Sequence, residues 1–255
     1  MNAMRLTSSA PSLRQHTITA PAPAWRHPDH IVLETCVEDI EGVRISARAG
    51  ADRAELCDNL TAAGTTPSIG TIEAAIFAAA EQVEQRRAQA GPYWADKADA
   101  AAPFGLRVII RPRGGSFVYD ADEGRAMIAD VRRIASLALE MAEFTRPQAT
   151  GGGRGQLPPA VDLGFVVGAL TEDGTIDRGL VRLLVDMANG APVTFHRAFD
   201  QCRDTVEAYG DLEGLGVRYV LTSGAAQTAA DGASVIAGLV ASGGPTVVAA
   251  GAVRP

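Results

Sequence analysis

Short apolar runs recur along the chain, each ending in polar or charged residues. They occupy residues 31–36, 53–57, 106–111, 162–168, 192–197, 218–223 and 245–250. Their length and their polar ends predict buried strands. Between them, residues 37–49, 69–87, 121–143, 177–188, 205–215 and 229–241 have helical character. Strands alternating with helices predict repeated βα units on a parallel sheet. Two joints look alike, Ala49-Gly50-Ala51-Asp52-Arg53 and Leu215-Gly216-Val217-Arg218. In each, a glycine closes a helix and an arginine opens a strand. Two insertions, near 88–103 and 145–159, read as surface loops. The second contains Gly151-Gly152-Gly153-Arg154-Gly155. That run lacks the Lys-Ser/Thr ending of a phosphate loop and leads into no helix, so it reads as a linker.

Seven βα-type strands in ~225 residues predict an α/β fold, a TIM (β/α)8-type barrel lacking its eighth strand and helix at the C-terminus. A doubly wound sheet would gather ligand groups at one switch point. Here polar groups end almost every strand, which favours the barrel. A seven-stranded arrangement leaves two sheet edges to be covered. Residues 31–255 form the barrel domain. Residues 1–30 hold Arg5, Arg14 and Arg26 among many Ser, Thr, Pro and Ala, with no acid before Asp29. Without an apolar h-region this is no secretory signal. It reads as a transit peptide, a disordered tail, or an upstream start preceding Met4.

Composition narrows the function classes. The 255 residues carry a net charge of −7, which argues against a nucleic-acid surface. No apolar run approaches the ~20 residues of a membrane helix. Three cysteines, an odd number without a framework spacing, point to a reducing compartment.

Strand parity gathers the chemistry. Glu34 and Cys36 share one face of the first strand, and Arg53, Glu55 and Cys57 share one face of the second. Glu-x-Cys therefore occurs twice, at the ends of adjacent strands. Arg107, Ile109, Arg111 and Arg113 share a face, as do Thr194, His196, Ala198 and Asp200. Val220 and Thr222 follow, with Ser223 beside them and Arg197 next to His196. In Arg111-Pro112-Arg113-Gly114-Gly115 two guanidiniums need an anionic partner, either a protein carboxylate or a bound carboxylate or phosphate. Glu34 or Glu55 is then either the partner of Arg111 or a proton-transfer group with His196. Cys36 and Cys57 are either small buried hydrophobes or metal ligands. Thr222-Ser223-Gly224 either starts a helix or binds an anion there.

These motifs, with Gly50-Ala51-Asp52-Arg53-Ala54-Glu55-Leu56-Cys57, Gly64-Thr65-Thr66-Pro67-Ser68-Ile69-Gly70, Arg111–Tyr119, Val193–Asp200 and Leu221-Thr222-Ser223-Gly224, resemble the copper homeostasis protein CutC family. The resemblance implies a cytoplasmic (β/α)8 barrel, often a homo-oligomer. It implies Cu(I) as ligand and Cys36 and Cys57 as its holders, and soft thiolates suit that ion. The acids and guanidiniums are not what copper needs. They support an alternative, an enzyme on a small anionic metabolite. There Arg111, Arg113, Arg197, Asp200, Thr222 and Ser223 would bind substrate, with Glu34, Glu55 and His196 as acid–base groups. The family's glycine-rich turn after the seventh strand is Ala250-Gly251-Ala252 here, and its acid after the paired glycines is Ser116. Both departures bear on anion binding.

Overall fold

The computed structural model describes residues 31–145 and 159–253. The leader, the Gly151–Gly155 run and the last two residues lie outside these. All seven predicted strands are present: β1 (Glu34–Val37), β2 (Arg53–Leu56), β3 (Phe104–Ile109), β4 (Val161–Val167), β5 (Val193–Phe195), β6 (Tyr219–Thr222) and β7 (Thr246–Ala249). Every adjacent pair is parallel, in the order β1-β2-β3-β4-β5-β6-β7. The helices between them are α1 (Ile40–Ala49), α2 (Ile69–Ala90), α3 (Ala98–Ala101), α4 (Ala121–Phe144), α5 (Arg178–Met187), α6 (Thr205–Gly214) and α7 (Ala233–Ser242).

Local chemistry sets the helix starts. Asp39, Ser68, Asp177 and Asp204 each cap a helix by accepting from its free backbone N–H groups. Asp120 and Glu123 form a reciprocal capping box on α4. Gly50 closes α1 in the left-handed region at φ 93°, as its joint predicted.

The sheet curls, and one contact proves it. The Arg53 guanidinium on β2 lies 4.6 Å from the ring centre of Tyr219 on β6. Strands four positions apart in a flat sheet would be ~19 Å apart at the usual spacing. Among the described residues the sheet is therefore a curled barrel wall of seven strands, with β1 and β7 as its ends.

Its outer face buries Ala54, Leu56, Leu106, Val108, Ile110, Phe165 and Val167 against Val43, Ile72, Ile76, Met127, Val131 and Leu184 of the helices. A second cluster packs Phe195, Phe199 and Val220 against Tyr209, Leu212 and Leu239. The inner face is largely polar, because arginines fill it. A side chain at Gly105 would place its Cβ 2.5 Å from the Arg53 Cβ, and one at Gly168 would overlap the His196 ring. Glycine at these positions makes room for the large polar neighbours.

The insertion near 88–103 differs from the loop expectation. α2 runs on to Ala90, and a 3-10 turn (Trp94–Asp96) and α3 follow. The buried Arg87 guanidinium lies 4.3 Å from the Trp94 ring centre, bonds the Pro159 carbonyl at 3.1 Å and pairs with Glu84. That clamp folds an Ala- and Asp-rich stretch that carries little strand or helix pattern of its own. Among the described residues no helix is long and apolar enough to cross a membrane.

Candidate functional site

Register builds the first cluster. Glu34 lies opposite Arg53 and Cys36 opposite Glu55, so the two Glu-x-Cys motifs are staggered by two residues. Glu34 forms an ion pair with Arg53, and both side chains are buried. The Cys57 amide, just past β2, bonds the Val37 carbonyl at 2.9 Å and carries the strand pairing one step further. The stagger sets the thiols diagonally, with Cys36 Sγ and Cys57 Sγ 3.8 Å apart. A Glu55 carboxylate oxygen completes a triad whose ligand atoms all lie within 4.8 Å of one another.

Burial is graded across this triad. Cys36 is exposed, whereas Cys57 and Glu55 are 2% and 7% exposed. Cys57 packs with Ile109, Val166 and Leu60 inside the barrel. Desolvation holds the Glu55 carboxyl well above the usual carboxylate range, and negative charge at Cys36 and Glu34 adds to it. The hydrogen bond between the two thiols lowers Cys36 against the opposing effect of burial. The same bond and burial raise Cys57. Cys36 is thus the first thiol of the pair to ionise, and it is the one that solvent reaches.

The other predicted groups form networks of their own. Arg111 does not meet Glu34 or Glu55, as the pairing expectation had it. Its guanidinium donates to the carbonyls of Ala62, Ala63, Gly64 and Gly115 at 2.8–3.0 Å. Left-handed Ala63 and Gly64 turn three successive carbonyls onto one cation. Phe117 covers it, 4.8 Å from ring centre to guanidinium carbon. Arg113 pairs with Glu123 at 2.5 Å and donates to the Ser116 and Val118 carbonyls. Both arginines are thus engaged by the protein itself.

His196 is 5% exposed, and its Nδ1 accepts from the Ala198 amide at 3.1 Å. Burial, followed by the nearby Arg111 charge, lowers it to about 3, so the ring is neutral and Nε2 carries the proton. That Nε2, Arg111 Nε and the Tyr119 hydroxyl are buried without a hydrogen-bond partner among the described residues.

Asp200 organises the last group. It accepts from Thr222 Oγ1, the Ser223 amide and hydroxyl, the Ala225 amide and Arg197. Burial alone would raise its carboxyl, but these bonds reverse the shift and hold it low. Thr222 does not join the face of the thiols, contrary to expectation. It has the parity of Val220, which packs against the helices, while Tyr219 of opposite parity meets Arg53 inside.

The structure therefore brings Cys36, Glu55 and Cys57 together, and separately Arg197, Asp200, Thr222 and Ser223. Sequence reasoning missed Arg53 as the partner of Glu34 and Glu55 as a member of the thiol cluster. The doubled Glu-x-Cys motif carried both facts, once the two-residue stagger is known.

Comparison with known proteins adds the family. The sequence profile of the CutC family matches residues 31–142 and 160–255. A family protein CutC of Mesorhizobium japonicum is 35% identical over 220 residues, covering 86% of this chain and 67% of that protein. The human copper homeostasis protein cutC homolog is 34% identical over 209 residues, covering 82% of this chain and 60% of that one. A crystal structure of CutC from Streptococcus agalactiae superposes with a TM-score of 0.59 at 29% identity, covering 83% and 82% of the two chains. The profile spans both halves of the curled sheet and every strand that ends in the groups above, and on that ground the chain belongs to the CutC family.

Proposed function

We propose that this chain serves copper homeostasis by binding Cu(I) through Cys36 and Cys57. The observation that carries the reading is the 3.8 Å separation of the two sulfurs at the mouth. Thiolates are soft donors that suit Cu(I), and one thiol is open to solvent while the other is held in the wall. The human relative is named for copper homeostasis. Free thiols require a reducing compartment, so the cytoplasm is the setting of this reading, and self-association is expected from the family. Copper here is cargo, and the chain's own part is to present two converging sulfurs. The test is Cu(I) competition with a chromophoric chelator under reducing conditions. The parent should retain one ion per chain, and Cys36→Ser/Cys57→Ser should retain none. Equal retention by both refutes the site.

A second reading, an enzyme or binder for a small anionic metabolite, rests on His196 Nε2 and Arg111 Nε, donors beside Phe117 without a partner among the described residues. Buried N–H and O–H groups without acceptors favour an acceptor-rich ligand. A metabolite screen by thermal shift tests it. Any stabilising anion should lose its effect in His196→Phe, and an unchanged shift removes this site.

A further inference from the structure

The Cys36–Cys57 pair leaves two observations unexplained, and both concern Glu55. The first is the spacing of the sulfurs. Two sulfurs about 2.3 Å from one ion stand about 4.6 Å apart if the ion is linear between them, and about 3.8 Å apart at a tetrahedral angle. The observed 3.8 Å is the bent separation. A bent pair leaves one side of the ion open to further donors. The second is the missing counter-charge. Glu55 is 7% exposed, and among the described residues no lysine or arginine pairs with it. Arg53, its neighbour on the same face, is engaged by Glu34. Its carboxyl oxygen, within 4.8 Å of both sulfurs, is placed where an ion held by the thiols would supply that counter-charge.

Both observations have one solution. We infer that Glu55 is a third donor of the thiol site, and that it equips the site for a divalent, borderline-soft cation of the Zn(II) class as well as for Cu(I). This rests on the reading of Cys36 and Cys57 as metal-binding thiols. Two sulfurs and one carboxylate oxygen within 4.8 Å form a three-donor set with an open position, a pattern that zinc accepts. A third anionic donor attracts a dication more strongly than a monocation, by the charge alone. Its oxygen is also a hard donor, which Cu(I) values little. Glu55 thereby decides which ion the pair prefers, while the sulfurs alone suffice for Cu(I).

The full-length, reduced protein tests this with Zn(II) and Cu(I) measured in parallel competition assays. Glu55→Gln should weaken Zn(II) about tenfold or more, at least the loss seen for outer-shell partners of a metal site. Its Cu(I) affinity should stay within about threefold, because both thiolates remain. Co(II) gives a second readout. Glu55→Gln should keep the sulfur-to-metal charge-transfer absorption and shift the d–d bands. A circular dichroism melt checks that the variant is folded, and Glu55→Asp, with a shorter reach, serves in its place if it is not. Unchanged Zn(II) affinity, or an equal fall for both ions, overturns the inference and leaves Cu(I) binding intact. A parent that binds neither ion overturns the copper reading and this inference together. Cu(I) bound normally with Zn(II) no tighter than in Cys36→Ser/Cys57→Ser overturns this inference alone.

Discussion

Two parts of the barrel mouth treat their charges in opposite ways. Around β3 to β6 Arg111, Arg113 and Asp200 are each answered by other groups of the chain, although Arg111 Nε and His196 Nε2 keep no partner among the described residues. Arg111 sits among four carbonyls, Arg113 on Glu123, and Asp200 under Thr222, Ser223, Ala225 and Arg197. At β1 and β2 Glu34 and Arg53 answer each other. Glu55 stands buried beside two thiols with no cation among the described residues. Satisfied networks hold a shape and need nothing further. An unanswered buried acid next to soft donors is where a ligand belongs. A full set of charged residues at a strand end thus says little about function until each has been traced to its partner.

Mutation breaks the contrast most forcefully at Arg111. Arg111→Met strands four carbonyls, of which the Gly64 carbonyl is buried, and an unsatisfied buried acceptor costs about 1–3 kcal/mol. Denaturant unfolding should show a loss of about 2 kcal/mol or more. A loss under about 1 kcal/mol would mean that the cage is not structural.

The next effect is pH-dependent. His196 stays neutral in the folded chain down to about 3, whereas the unfolded chain protonates it near 6.5. The unfolded state binds the extra proton between those values, so stability falls as pH drops through that window. The slope is at most about 1.4 kcal/mol per pH unit. Urea titrations from pH 7 to 3 should show this slope in the parent and a shallower one in His196→Phe. Parallel slopes would remove His196 as the source.

The smallest effect has the opposite sign and sharpens the comparison. Glu55 binds its proton more tightly folded than unfolded. Stability of the metal-free protein therefore falls as pH rises above the ordinary carboxylate range. Glu55→Gln should flatten that dependence and raise the melting temperature at pH 8. A lower melting temperature would show that Glu55 already has its partner.

The apolar runs carried the seven strands because parallel strands are buried on both faces and read as near-continuous hydrophobic segments. Helix starts were legible through Asp and Ser caps. Contacts across distance were not. Nothing near Arg111 announces that Ala63 and Gly64 will curl their carbonyls onto it. Period-two reasoning placed Cys36, Glu55 and Cys57 on one face, yet it could not give the stagger that brings the sulfurs together. It also put Thr222 on the face of the thiols, because strand parity is known only relative to its own strand until one contact fixes inside from outside.

The two thiols differ in how firmly their backbones are anchored. Cys57 follows β2, a fully buried strand flanked by β1 and β3, whereas Cys36 sits on β1, an end strand with a single neighbour in the described sheet. Amide exchange should therefore be faster around Cys36 than around Cys57. One jaw of the grip is fixed and the other compliant, so ions of different radius can be seated by adjusting one margin of the wall without disturbing its interior.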